Sequence, residues 1–206
     1  MRLDLLMAES WVRAGSSVLD LGCGDGTLLD HLRRTRQVHG YGIEIDTDQI
    51  QRCVARGLNV IQHDLNEGLT RFRDGSFDTV FLTMALQVLR HPDHLLMDML
   101  RVGREAVVTF PNFAYWRSRF YLAGRGRMPM SKALPYHWYD TPNIHLCTFY
   151  DFDALCRDKG ITILNRFSVN QEQDSGRLMR WLPNLFGEIA IYRVSLHGKD
   201  IVGRNE

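Results

Sequence analysis

Leu3, Leu6, Met7, Trp11 and Val12 recur at helical spacing and predict an amphipathic first helix, broken at Gly15-Ser16-Ser17. Beyond it, short apolar runs alternate with helical stretches. Val18–Leu21 reads as a strand, and Leu28, Leu29 and Leu32 turn one face of a helix inward over about Gly26–Arg36. Val38–Ile45 is a second strand. Thr47 or Asp48 can cap the next helix, which runs to Arg56, and Gly57 stops it. Leu58–Gln62 is a third strand, and Ser76–Leu82 a fourth, entered through a turn at Asp74-Gly75. Pro92-Asp93 opens a helix through Leu95, Leu96, Met99 and Leu100. Ala106–Phe110 is a fifth strand, which Pro111 ends.

From Phe113 to Thr148 the pattern is lost. The stretch is rich in aromatics, glycine and proline and reads as a long irregular loop, able to fold over a site as a lid. A helix resumes at Phe152–Cys156. Ile161–Val169 and Glu188–Leu196 then read as an antiparallel pair joined through Asn170–Gly187. Strands alternating with helices predict an α/β chain of right-handed βαβ units on a parallel sheet. Ligands of such sheets bind beyond the carboxyl ends of the strands, at the switch point of strand order. That rule brings Asp20–Gly26, Glu44–Asp46, His63–Asp64, Thr83–Gln87 and Pro111-Asn112 to one rim.

A length of 206 residues with 45% hydrophobic side chains suits one globular domain over residues 1–206, with the lid-like insertion at about 113–148. The formal net charge is +1, which gives no footprint of a general nucleic-acid binder. Cys23, Cys53, Cys147 and Cys156 form no CxxC pair, so neither a disulfide framework nor a metal site is expected; His145 and Cys147 lack further ligands nearby. Acids interrupt the apolar N-terminus, and no apolar run is long enough to cross a bilayer. The expectation is a cytoplasmic protein with no membrane partner.

The first strand runs into Gly22-x-Gly24-x-Gly26. A triphosphate loop would need Gly-Lys-Ser/Thr after the glycines, and the dinucleotide fingerprint needs its third glycine one residue later. Asp20 and Asp25 flank the turn and would repel a pyrophosphate. They suit a ligand with an ammonium and a sulfonium, and S-adenosylmethionine is one. Its carboxylate can take helix-start N–H groups, with its amino group near Asp20. Glu44 stands roughly 20 residues past the turn, where an acid accepts from ribose hydroxyls. Asp64 can accept from an adenine amino group, with the Leu65 backbone beside it. Plainer roles stand next to these: Asp25 and Asp46 as helix caps, and Asp64 as a turn residue.

Val18-Leu19-Asp20-Leu21-Gly22-Cys23-Gly24-Asp25-Gly26, Gly42-Ile43-Glu44-Ile45-Asp46, His63-Asp64-Leu65 and Asp74-Gly75-Ser76-Phe77-Asp78 resemble class I S-adenosylmethionine-dependent methyltransferases. That resemblance implies a Rossmann-like fold: a seven-stranded, mostly parallel sheet whose last strand is antiparallel. Leu100–Arg104, Phe110–Phe113, Gly126–Pro129, Leu134–Thr148 and Leu182–Phe186 look like the MetW family. This second resemblance implies methionine biosynthesis, in association with MetX, a homoserine O-acyltransferase of α/β-hydrolase fold using an acetyl or succinyl donor. No Ser-His-Asp arrangement is recognisable here, so acyl transfer would belong to the partner. The alternative is a small-molecule methyltransferase of unknown acceptor, with S-adenosylhomocysteine as product. Its candidate bases are Tyr136, His137 and His145, along with Tyr139 and Asp140, and Gln87 could face the acceptor. Structural hydrogen bonding and packing are the plainer roles for these histidines and aromatics. A fold retained without cofactor binding is a third possibility, against which Asp20 and Glu44 speak.

Overall fold

A computed structural model describes residues 7–131, 134–170 and 181–196. The inner strand β1 (Ser17–Leu21) pairs in parallel with β2 (His39–Glu44) on one side and β4 (Phe77–Thr83) on the other. β3 (Asn59–Gln62) lies outside β2, and β5 (Gly103–Pro111) outside β4, both parallel. β7 (Ile189–Leu196) is antiparallel both to β5 and to β6 (Ile161–Val169), giving the order β3-β2-β1-β4-β5-β7-β6. This is the expected seven-stranded, mostly parallel sheet. The chain goes outward from β1 to β3 and then returns to β1's other side, so the switch point lies where the glycine turn leaves β1.

Alternation along the strands sorts the core into two layers. Leu19, Leu21, Val80, Leu82, Val108 and Phe110 pack against helix α3 (Pro92–Val102) and helix α5 (Phe149–Asp158). Val18, Phe81 and Val107 pack the other way, on helix α1 (Thr27–Arg36) and on Cys53 of helix α2 (Thr47–Ala55). Asp20 lies two residues from Val18 and so faces this second layer. Of the predicted first helix, residues 7–9 are helical and Ala8 and Val12 are buried in that layer; Leu3 and Leu6 lie outside the described residues. Among the described residues no helix is long and apolar enough to cross a membrane.

Three local expectations change. Asp46 caps α2, accepting from the amides of Asp48 and Gln49, which is its plainer expected role and displaces Thr47 and Asp48 as the cap. β5 starts three residues before Ala106, straight out of α3, and Pro111 pairs with Ile189 as its last residue. Gly103 permits that junction, because a Cβ there would lie 2.6 Å from Val80 Cγ2 and 3.0 Å from the Met99 carbonyl. Arg104 and Glu105 read as non-strand by polarity, yet Glu105 is held by two bonds of 2.6 and 2.7 Å from Arg193 of β7. Finally, the segment expected to be irregular contains helix α4 (Trp116–Arg125), and a short helix α6 (Pro183–Phe186) precedes β7. The first of these was hidden because α4 carries no buried apolar stripe; its buried residue is Ser118.

Candidate functional site

The three glycines of the turn all have positive φ, 66° at Gly22, 54° at Gly24 and 76° at Gly26, but different surroundings. A Cβ on Gly26 would come within 2.4 Å of Leu58 Cδ1 and 2.9 Å of Cys53 Sγ, so Gly26 lets α1 close onto α2 and β3. Gly22 abuts the segment after β4, with Ala85 Cβ 3.6 Å from the same construction and Leu65 Cδ1 at 4.0 Å. A Cβ on Gly24 would meet open space. Gly24 is therefore where bare backbone is offered to a ligand.

The turn's own polar groups are largely occupied. Gly22 and Cys23 donate to the Ile43 carbonyl at 2.8 and 3.0 Å, Gly26 to the Cys23 carbonyl at 3.0 Å, and Gly24 to Glu44 Oε2 at 2.8 Å. The other Glu44 oxygen accepts from the amides of Ile45 and Asp46 at 2.8 and 3.0 Å. A carboxylate has about four lone-pair sites, so three backbone donors still leave room for a hydroxyl. Cys53 Sγ donates to the Gly24 carbonyl at 3.2 Å and lies 3.9 Å from Cys23 Sγ. Burial, then the nearby Asp20 carboxylate, pushes the Cys23 thiol well up, and burial does the same at Cys53, so both stay protonated and act as packing. All four cysteines are free.

The two acids flanking the turn have different fates. Asp20 is 1% exposed at the end of β1, in register with Gly42 and Phe81. Asp25 turns outward: its Oδ1 accepts from the Thr27 amide and hydroxyl at 3.1 and 2.7 Å, and its Oδ2 from Arg56 at 2.8 Å. The Thr27 hydroxyl chiefly, with Arg56 helping and partial burial opposing, holds the Asp25 carboxyl below its ordinary value. A depressed acid contributes stability that is present above its unfolded value and lost as pH falls through the folded one. Asp25→Asn should therefore be less stable than the unsubstituted chain at pH about 7, with the gap closing below pH about 4. Urea unfolding of both chains across that range measures it, and a gap independent of pH would refute the assignment.

Along the same rim, Asp64 caps the turn Leu65–Glu67, its Oδ1 accepting from the Asn66 amide and side chain at 2.9 Å each. Asn66 Oδ1 in turn accepts from the Arg90 amide at 2.9 Å, tying the segment after β3 to the segment after β4. The structure thus brings Asp20, Gly22, Gly24, Gly26, Glu44, Asp64 and Leu65 together at the carboxyl ends of β1, β2 and β3.

Of the candidate bases, His145 lies beside this rim. The amides of Ile144 and His145 both donate to the Gln87 carbonyl, at 2.8 and 3.0 Å, and the His145 ring approaches the Arg90 carbonyl at 3.4 Å. Tyr136 and His137 are exposed, with His137 stacked on Tyr139 at 5.3 Å. Gln87 itself is buried. Its Nε2 donates to the Met84 carbonyl at 2.8 Å, while among the described residues its buried Oε1 has no hydrogen-bond partner.

Asn112, expected only as a rim position, and Asn184, with no role expected, are made one device by the fold. Asn112 is 2% exposed; its Nδ2 donates to the carbonyls of Asn184 and Gly187 at 3.0 and 2.7 Å, and its Oδ1 accepts from the Ala114 amide at 3.1 Å. Asn184 Oδ1 accepts from the Phe149 amide at 3.2 Å. This knot fixes both ends of the segment between β5 and α5. An Asn directly after the proline that ends β5 is the hint the sequence offers.

Among the described residues no three His, Cys, Asp or Glu side chains converge as a metal site. A family model for methionine biosynthesis protein MetW matches residues 2–194. A bifunctional methionine biosynthesis protein MetXA/MetW of Rhodopirellula baltica is 38% identical over 161 residues, spanning 74% of this chain but 26% of that protein's length. Among solved structures, a S-adenosylmethionine dependent methyltransferase of Mesorhizobium loti superposes with a TM-score of 0.68 at 15% identity, over 93% of this chain and 97% of that one. A TehB-like SAM-dependent methyltransferase of Corynebacterium glutamicum gives 0.63 at 16%, over 96% and 89%. At such identities the structural likeness bears on fold alone. With the family pattern running through nearly the whole length and the sheet arranged as the resemblance implied, the chain belongs to the MetW family, on a Rossmann-like methyltransferase fold.

Proposed function

We propose that this protein binds S-adenosylmethionine at the rim and acts as an accessory partner that supports a MetX-type homoserine O-acyltransferase in methionine biosynthesis. The observation that carries the partnership is the relative named MetXA/MetW, in which both names belong to one polypeptide. The cofactor reading is supported by the chemistry of the rim. Gly22, Cys23, Gly24 and Gly26 spend their amides inside the protein, so the turn is a poor phosphate cradle. The buried Asp20 carboxylate ends β1 where the glycine turn begins, and at Gly24 a Cβ would meet open space, a combination that fits a cationic amino group. Glu44 takes the ribose hydroxyls, and Asp64 with Leu65 the adenine edge. The segment 113–148 is the lid of one 1–206 domain, working in the cytoplasm, where free cysteines persist.

The partnership is tested by assaying the homoserine acyltransferase alone, with this chain, and with this chain plus adenosylmethionine. The expected result is higher or longer-sustained activity in the chain's presence, altered by adenosylmethionine. Equal activity in the first two mixtures counts against the accessory role, and equal activity in the last two against control by adenosylmethionine.

One observation favours the alternative of methyl transfer to a small acceptor: among the described residues the buried Gln87 Oε1 is unpartnered, and the His145 amide bonds to the backbone carbonyl of the same residue. Adenosylmethionine would supply an electrophilic methyl carbon. The chain's residues would orient the acceptor, and His145 would take its proton. Single-turnover assays with labelled adenosylmethionine and candidate acceptors test this; transfer to none of them counts against it.

A further inference from the structure

Helix α4 sits on the protein without burying an apolar face. Its buried residue is Ser118, while Phe120 is 71% exposed, and beyond it Trp138 and Tyr139 are 75% and 68% exposed. A ten-residue helix of this kind is marginal in water without something against it. Large aromatics exposed this densely within one segment mark an interaction surface. The base below is firm: Ile144 and His145 are strapped to the Gln87 carbonyl, the Phe113 amide donates to the Cys147 carbonyl at 3.0 Å, and Asn112 holds the start of the segment. The aromatic face is thus projected from a fixed platform.

Its charge is predominantly positive, with Asp140 the acid of the span 116–146. From Ala106 to Tyr139 there is no Asp or Glu, while Arg117, Arg119, Arg125, Arg127 and Lys132 fall inside. The four arginines are exposed, Arg117 lying over the Trp116 ring at 5.4 Å and Arg125 over Tyr121 at 5.6 Å. With a net charge of +1 for the chain, the remainder is net acidic. Arginine among aromatics is the composition of binding hot spots.

Two copies meeting through a two-fold axis would set these arginines against each other. Single-stranded nucleic acid also takes arginine and aromatics, but here Leu122, Ile144 and Leu146 of the same segment are exposed as well, a feature suited to apolar protein surface more than to base stacking. In the fused relative about three quarters of the polypeptide lies outside the matched 26%, so a tethered neighbour is held at high effective concentration. We propose that this basic, aromatic face is the docking surface for the homoserine acyltransferase, meeting there an apolar patch edged with carboxylates. The proposal rests on the accessory-partner reading above and adds where contact is made.

The test measures binding of the full chain to a purified MetX-type homoserine acyltransferase from the same source. It compares the unsubstituted chain, Trp138→Ala, the double variant Arg117→Glu with Arg125→Glu, and Ile61→Glu on the far edge strand β3, each verified as folded by circular dichroism. Either face variant should weaken binding by at least about tenfold. The double variant should also lose most of the salt dependence, and Ile61→Glu should bind like the unsubstituted chain. If the unsubstituted chain binds and the face variants bind equally well, the surface is wrong and the partnership stands. If the unsubstituted chain does not bind, the partnership fails and the proposal with it. A dimer in sedimentation that the double variant dissolves assigns the face to a second copy. A single-stranded oligonucleotide bound as tightly as the acyltransferase assigns it to nucleic acid. Either result overturns the proposal.

Discussion

Replacing Asp20 by Ala is expected to weaken adenosylmethionine binding by at least about tenfold, roughly 1.4 kcal/mol. The carboxylate ends β1 with 1% exposure, one turn from the open backbone of Gly24. A hydrogen bond between charged groups in so dry a position contributes about 1.5–3 kcal/mol, and Ala removes both charge and acceptor. Glu44→Ala should weaken binding by a similar factor, partly by another route. Besides its ribose role, Glu44 holds the Gly24 amide at 2.8 Å, so the substitution also loosens the turn. The two variants therefore separate in unfolding experiments, with Glu44→Ala the more destabilised. Calorimetry showing unchanged affinity in both would refute the site.

Asn112→Ala should be the most damaging single change to stability, at about 3 kcal/mol or more, from stranding buried backbone groups at about 1–3 kcal/mol each. The groups are the carbonyls of Asn184 and Gly187 and the amide of Ala114, all bonded to one side chain that is 2% exposed. Asn112→Asp offers no remedy, since it keeps the acceptor for Ala114 but sets a carboxylate against two carbonyls. Water cannot easily replace the amide, because Gly187 packs so closely that a Cβ there would lie 2.4 Å from Ser168 Cβ. Urea unfolding checks the figure; a loss under about 1 kcal/mol would show that the knot relaxes without its centre.

The strands of the sheet were legible because period-two apolar runs, bounded by Gly, Pro and Asp, depend on neighbours a few residues apart. The glycine turn was legible for the same reason: three positive φ values need three glycines. β5 was read too short, since Glu105 looks polar until Arg193 of β7 lies beside it. Helix α4 escaped notice because a helix with no buried stripe has no apolar period to find.

The site divides the same way. That an acid-rich glycine turn ends β1, with a further acid ending β2, was determined by the sequence alone, through spacing. Which acid faces inward was decided only by the tertiary structure. Along the chain Asp20 ends an apolar strand and Asp25 can cap a helix, but only the fold brings up Arg56, 31 residues on, to draw Asp25 outward, while Asp20 stays in the layer beneath α1. Asn112 and Asn184, 72 residues apart by their bond, likewise become one clasp only when β7 inserts between β5 and β6. Local chemistry follows from φ, caps and periodicity within a turn or two. The partner of a charge or a buried amide is set by which strand the sheet places next to which, and that choice belongs to packing.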